Sequence, residues 1–211
     1  MPLRPVPAWG VASAIAAPVI LAAGYLYAAS LTPGFNPVSQ GLSDLGAISS
    51  GTRWLVAAAL LLVGVSYIVT AVALRPADTA GRWLLGAAGV MMWWVALIPN
   101  NVVGKFTLRH TLGSAFVFGL LALWPAMSGH SGPRVPWPLR RRVGVIISIV
   151  AFVLIELTLW GLILRADTGG ARELLLYAVT ALWPLVVVLW TKVRGAGWAY
   201  PPVRRHPAPR R

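Results

Sequence analysis

Six apolar runs separated by polar intervals divide this chain. They cover residues 9–29, 54–74, 83–98, 111–127, 143–164 and 173–191. A helix that crosses a bilayer needs roughly 20 mostly apolar residues. The pattern therefore predicts an all-α polytopic membrane protein, a bundle of six transmembrane helices. The first run competes with a reading as a signal peptide, with Ala28-Ala29-Ser30 as its cleavage site. It is longer than the roughly 7–15 residues of a signal h-region, which favours a span. Pro18 sits near its middle, and Pro184 in the last run predicts a kink that a neighbouring helix can tolerate. Residues 192–211 form a basic tail rich in Pro and Arg, expected to be disordered and cytoplasmic. No internal repeat is visible.

The long polar interval with an ordered pattern is residues 36–46, Asn-Pro-Val-Ser-Gln-Gly-Leu-Ser-Asp-Leu-Gly. Asn36 is a good helix N-cap, Pro37 suits the first helical position, and Gly46 suits a left-handed residue after a helix end. Val38, Leu42 and Leu45 repeat at i, i+4 and i+7, with the polar pairs Ser39/Ser43 and Gln40/Asp44 beside them. This spacing predicts a short interfacial helix in the first outer loop, with Asp44 on its wet or protein-facing side.

Composition supports a membrane class. The chain is 58% apolar and only 11% charged, against about 25% charged in soluble domains. The absence of cysteine excludes disulfides, thiolate metal sites and cysteine nucleophiles. A formal charge of +13 would suggest nucleic acid in a soluble protein. Here it reads instead as loops held on the cytoplasmic side and in contact with anionic lipid, with no nucleic-acid partner. With the N-terminus inside, 13 of the 18 Lys and Arg fall on inner segments and 5 on outer ones. The expected location is the plasma membrane, multi-pass, with both termini cytoplasmic and residues 36–46 facing outward. Trp9, Trp54, Trp83, Trp124, Trp137 and Trp190 then read as an interfacial aromatic belt.

Candidate chemistry is sparse. Glu156 lies inside the fifth apolar run, where a central charge costs about 2.5–3.5 kcal/mol on insertion scales. It reads either as part of a polar site or as hydrogen-bonding glue between helices. Asp44 shares the outer side with Arg53, Lys105, Arg109 and His110, so an Asp–Arg or Asp–His contact is expected, either functional or loop-tethering. Asp44, His110 and Glu156 are the candidate catalytic residues. Ser43, Arg109, Arg172 and Glu173 are candidates for substrate binding. Ser43 beside Asp44 lacks the Gly-x-Ser-x-Gly elbow of serine hydrolases. The three histidines lack ligand spacing, so no metal is expected. No phosphate loop, dinucleotide fingerprint or haem motif appears, and no cofactor is implied.

The stretch from Asn36 to Ala47, directly after the first span, resembles the signature of the DUF998 family of uncharacterised prokaryotic membrane proteins. Its Ser-Asp-Leu-Gly core is also similar to the Ser-Asp-x-Gly of the Frag1/DRAM/Sfk1 membrane proteins. His110 ahead of Gly113, Ser114 and Ala115 is a second match. Gly170-Ala171-Arg172-Glu173 is a third, although this chain places Arg before the acid where the family tends to have it after. The resemblance implies a six-span bundle with the matching residues gathered on the outer side. It implies no reaction, and the Frag1-like relatives add a link to membrane lipid remodelling. The leading expectation is binding or processing of a lipid or cell-envelope component at the outer leaflet, marked by an outward cavity open to the bilayer. The alternative is a non-catalytic accessory or assembly subunit with a membrane-protein partner, which small-residue faces at residues 86–89 and 113–115 would serve. A transporter is least favoured, since paired broken helices in two matching halves are lacking.

Overall fold

The computed structural model of the protein describes residues 6–132, 135–164 and 167–194. The tail expected from residue 192 lies outside them beyond Arg194, as do Arg4, Arg134 and Arg165 of the charge count. The architecture is an all-α bundle of six long apolar helices, those of a multi-pass membrane protein. They are α1 (Ala8–Ser30), α3 (Arg53–Ala73), α4 (Thr79–Leu97), α5 (Leu108–Ser128), α6 (Arg141–Ile163) and α7 (Gly169–Arg194). A four-residue helix, α2 (Leu42–Leu45), lies in the first connection, and a 3-10 turn (Trp137–Leu139) precedes α6. Each long helix packs on the next in sequence, and α7 closes the ring against α1.

Local chemistry accounts for several helix ends. Asp78 caps α4 by accepting the Ala80 amide at 3.0 Å, so α4 starts at Thr79 rather than near Trp83. Helix α5 likewise starts at Leu108 and takes His110 out of the polar loop and into its first turn. Pro184 lies within a continuous α7. Small residues set the closest crossing. A Cβ on Gly64 would stand 2.6 Å from the Gly89 carbonyl, and one on Gly89 would stand 2.5 Å from the Gly64 carbonyl. Backbones in a membrane approach this closely only where side chains are absent. Gly113 similarly abuts Trp94. Gly89 and Gly113 are thus used inside the bundle, although the alternative reading gave their stretches a partner-facing role.

The first and last described segments meet at one end of the bundle, where Lys192 donates to the Val6 carbonyl at 3.1 Å. Arg82 donates through Nε to the Ala71 carbonyl at 2.8 Å and through Nη2 to the Val72 carbonyl at 3.2 Å, covering the end of α3. Trp9, Trp54 and Trp83 are exposed, as belt residues should be, but Trp124 is fully buried in the core.

The helix predicted across residues 36–46 is much shorter than its pattern suggests. Asn36 closes a turn, accepting the Val38 amide on Oδ1 at 2.9 Å and the Gln40 amide on its carbonyl at 2.8 Å. The helix begins only after Gly41, which is extended at φ −101°. Leu42 and Leu45 face the core, whereas Val38 is exposed. Gly46 is right-handed at φ −86°, so it is not the left-handed cap its position suggested. Its small size matters instead, because a Cβ there would meet Val56 Cγ1 at 3.0 Å.

Candidate functional site

The connection holding α2 is built by hydrogen bonds to two other parts of the chain, at the end of the bundle opposite Val6 and Lys192. Asp44 Oδ2 accepts the Gly41 amide at 3.0 Å and Oδ1 accepts the Gly104 amide at 2.8 Å. Ile48 and Ser49 donate their amides to the carbonyls of Asn100 and Asn101 at 2.8 and 3.2 Å. Asn100 in turn accepts the Thr107 amide and hydroxyl on its side-chain oxygen at 2.9 and 3.2 Å. The first connection and the α4–α5 connection are therefore one stitched layer. Asp44, expected to pair with Arg or His, has its carboxylate taken up by two backbone amides and makes no ion pair among the described residues.

The second anchor comes from α7. Ser43 donates its amide to Glu173 Oε1 at 3.2 Å and its hydroxyl to Glu173 Oε2 at 3.1 Å. The first of these bonds takes up one of the amides left unpaired at the start of α2. The Ala171 amide donates to the Val38 carbonyl at 3.0 Å. Two glycines allow this approach: a Cβ on Gly41 would overlap the Glu173 carboxylate, and one on Gly170 would overlap the Gln40 and Pro37 carbonyls. Hence the Ser-Asp-Leu-Gly stretch and the Gly-Ala-Arg-Glu stretch, 130 residues apart at Ser43 and Glu173, touch directly.

Beside this joint lies an apolar cavity of about 140 Å³, with Ser43, His110 and Glu173 among its lining. That space is comparable to one that holds a benzene-sized group. Its walls include Leu60, Val95, Phe118, Leu176 and Tyr177, with Ser114, Thr111 and Thr158 as further polar groups. Phe118 and Tyr177 meet edge to face at 5.1 Å between ring centres. The exposed lining residues are Phe106, Ala115 and Leu159, from the connection just before α5, from α5 and from the end of α6. The opening therefore lies between those two helices, at the level of their apolar surface.

His110 is buried, and its Nδ1 lies 2.9 Å from the Ile98 carbonyl. A carbonyl only accepts, so the proton is on Nδ1 and Nε2 is left as an acceptor. The remaining candidates are elsewhere. Glu156 is exposed on the outer side of α6, while its neighbours Ile155, Thr158 and Leu159 line the cavity. Arg172 donates to the Leu157 carbonyl at 2.9 Å and lies across Gly161, fastening α6 to α7. Arg109 is exposed, and its carbonyl accepts the Trp94 indole at 3.4 Å. The structure thus brings Ser43, His110 and Glu173 to one cavity, and Asp44 and Glu156 do not line it. Among the described residues no group of three or more His, Cys, Asp or Glu is placed to hold a metal.

Sequence reasoning missed the walls, Phe118 and Tyr177 above all. A signal for Tyr177 was present, since it stands four residues after Glu173 and so shares its helix face. No curated protein and no solved structure matches the chain. The family model described as protein of unknown function (DUF998) matches residues 15–190, and the chain belongs to that family.

Proposed function

We propose that this protein binds a membrane lipid or lipid-linked envelope component at the outer leaflet, drawing the lipid's polar end into the cavity between α5 and α6. The observation that carries this reading is an apolar cavity that opens at the bilayer-facing surface and has Ser43, His110 and Glu173 among its lining. Ligand sites of this kind combine apolar walls with a few placed polar groups. The cavity holds only part of a lipid, so the chains would remain in the bilayer beyond the opening. The bias of Lys and Arg toward the terminal end supports a plasma-membrane orientation with both termini cytoplasmic and the cavity outward. The reading claims binding alone.

Photolabelling tests the proposal. Protein in nanodiscs is exposed to a lipid with a diazirine near its head group, and the labelled residues are mapped. Labelling should concentrate on the stretches around Ala115, Phe118 and Leu159, and Ala115→Trp should remove it by blocking the opening. Labelling spread evenly over α1 and α6 would sink the idea.

One observation favours a second reading, an accessory subunit. Helix α6 has 17% of its apolar window buried, against 33–56% for the other spans, and it exposes Glu156. A carboxyl in that position favours a partner helix that would shield it. Under that reading Glu156→Leu releases a membrane-protein partner while lipid labelling persists.

A further inference from the structure

Most of the polar wall of the cavity has spent its protons. Ser43 donates its hydroxyl proton to Glu173, Thr111 to the Thr107 carbonyl at 3.0 Å, and Thr158 to the Leu154 carbonyl at 2.8 Å. His110 gives its Nδ1 proton to Ile98. What these groups retain for a ligand is lone pairs: three hydroxyl oxygens, one imidazole nitrogen and the free pairs of a carboxylate. Only the Ser114 and Tyr177 hydroxyls, which make no hydrogen bond among the described residues, can turn to donate.

Among the described residues, cations are missing from the same wall. No described Lys or Arg lines the cavity; Lys105 and Arg109 are exposed, and Arg172 is engaged with Leu157. The amides at the start of α2, where a phosphate would otherwise dock, already face the carboxylates of Glu173 and Asp44. A phosphate entering here would meet a carboxylate and no counter-charge. A ligand bearing only acceptors would leave the lone pairs of Glu173, His110, Ser43, Thr111 and Thr158 unpaired, with only the Ser114 and Tyr177 hydroxyls to meet its own groups, which is costly away from water.

We infer that the cavity selects a lipid whose inserted end is a hydrogen-bond donor, a hydroxyl or an ammonium, and rejects a phosphate. This rests on the reading that the cavity binds a lipid, and it names the head-group chemistry that the site accepts. The hydroxyl or ammonium would sit among Glu173, Ser43 and His110, with the first carbons of the lipid against Phe118 and Leu176.

Native mass spectrometry of the purified full chain in detergent tests this with four dioleoyl lipids. They are dioleoylglycerol, its methyl ether, the corresponding primary amine and phosphatidic acid. At least one donor lipid should bind roughly tenfold more tightly than the methyl ether or phosphatidic acid, the size expected for one hydrogen bond to a charged acceptor. Preference for the amine over dioleoylglycerol identifies an ammonium ligand, and the reverse identifies a hydroxyl; either supports the inference. Glu173→Gln, which adds an N–H donor to the wall, should narrow the preference while the ether binds as before. If that variant does not fold, Thr158→Val removes one acceptor without changing shape and should reduce the preference roughly threefold. Equal binding of all four lipids would overturn the inference but leave the lipid-binding proposal standing. Tighter binding of phosphatidic acid would overturn the inference too. Binding of none would overturn both.

Discussion

Removing the Asp44 carboxylate separates a structural role from a chemical one. In Asp44→Ala the Gly41 and Gly104 amides lose their acceptor. The two losses are unequal. Gly41 is buried beneath the Glu173 joint, so its amide has no water to turn to. An unpaired buried donor costs about 1–3 kcal/mol. Gly104 is exposed, so water replaces the carboxylate there at a cost of a few tenths of a kcal/mol. Together the substitution should destabilise the protein by about 2 kcal/mol, a sizeable part of the roughly 5–15 kcal/mol that holds a domain folded. Reversible unfolding of the purified protein in mixed micelles by graded SDS, followed by tryptophan fluorescence, reads this directly. Asp44→Asn should fall between wild type and Asp44→Ala, because its amide keeps one acceptor oxygen but points a donor at the other N–H. Below the unfolding transition, lipid photolabelling at Ala115 and Phe118 should match that of wild type. A variant as stable as wild type that no longer takes up lipid would refute this account and put Asp44 in the site.

Four other perturbations probe the same architecture. Gly170→Ala drives a Cβ into the Gln40 and Pro37 carbonyls, and such overpacking should cost about 1–3 kcal/mol in the same unfolding assay; a neutral result would mean that the loop is not seated on α7. Gly89→Leu should separate α3 from α4 at the Gly64 contact and lose most folded protein, as judged by size-exclusion yield in detergent, whereas Gly86→Leu, whose Cβ meets only Ala71 at 3.7 Å, should be far milder. Glu156→Leu removes a carboxyl from the outer surface of α6 and should leave the fold intact while easing insertion by about 2.5–3.5 kcal/mol, measured by glycosylation mapping of membrane integration. A collapse of folded yield in that variant would show that Glu156 is packed inside the bundle. His110→Phe keeps a ring but loses the bond to Ile98, and it should cost about 1 kcal/mol of stability while weakening uptake of donor lipids.

The sequence alone determined the class, the helices and the places where chemistry is possible. Hydropathy is a property of neighbouring residues, and an apolar run of about 20 in a chain this poor in charge has few outcomes other than a span. Helix ends depended on short-range chemistry, and Asp78 shows how a single cap moves a boundary by a full turn. The resemblance marked out residues 36–47 and a second stretch at residues 170–173. It did not say that the two meet.

Only tertiary structure decided what the acids do. Asp44 sits in the most ordered-looking polar stretch, yet its role depends on an amide 60 residues away. Glu156 is unusual by depth, but one residue of helix is a turn of about 100°, so whether it faces the cavity or the bilayer depends on how α6 packs on α5 and α7. Glu173 was a candidate for substrate binding with no partner assigned, and its position against Ser43 exists because Gly41 and Gly170 let two loops close without side chains between them. A local pattern records which residues can be buried or charged. Which of them share a cavity is set by contacts between segments far apart in the chain, and those contacts exist only once the bundle closes.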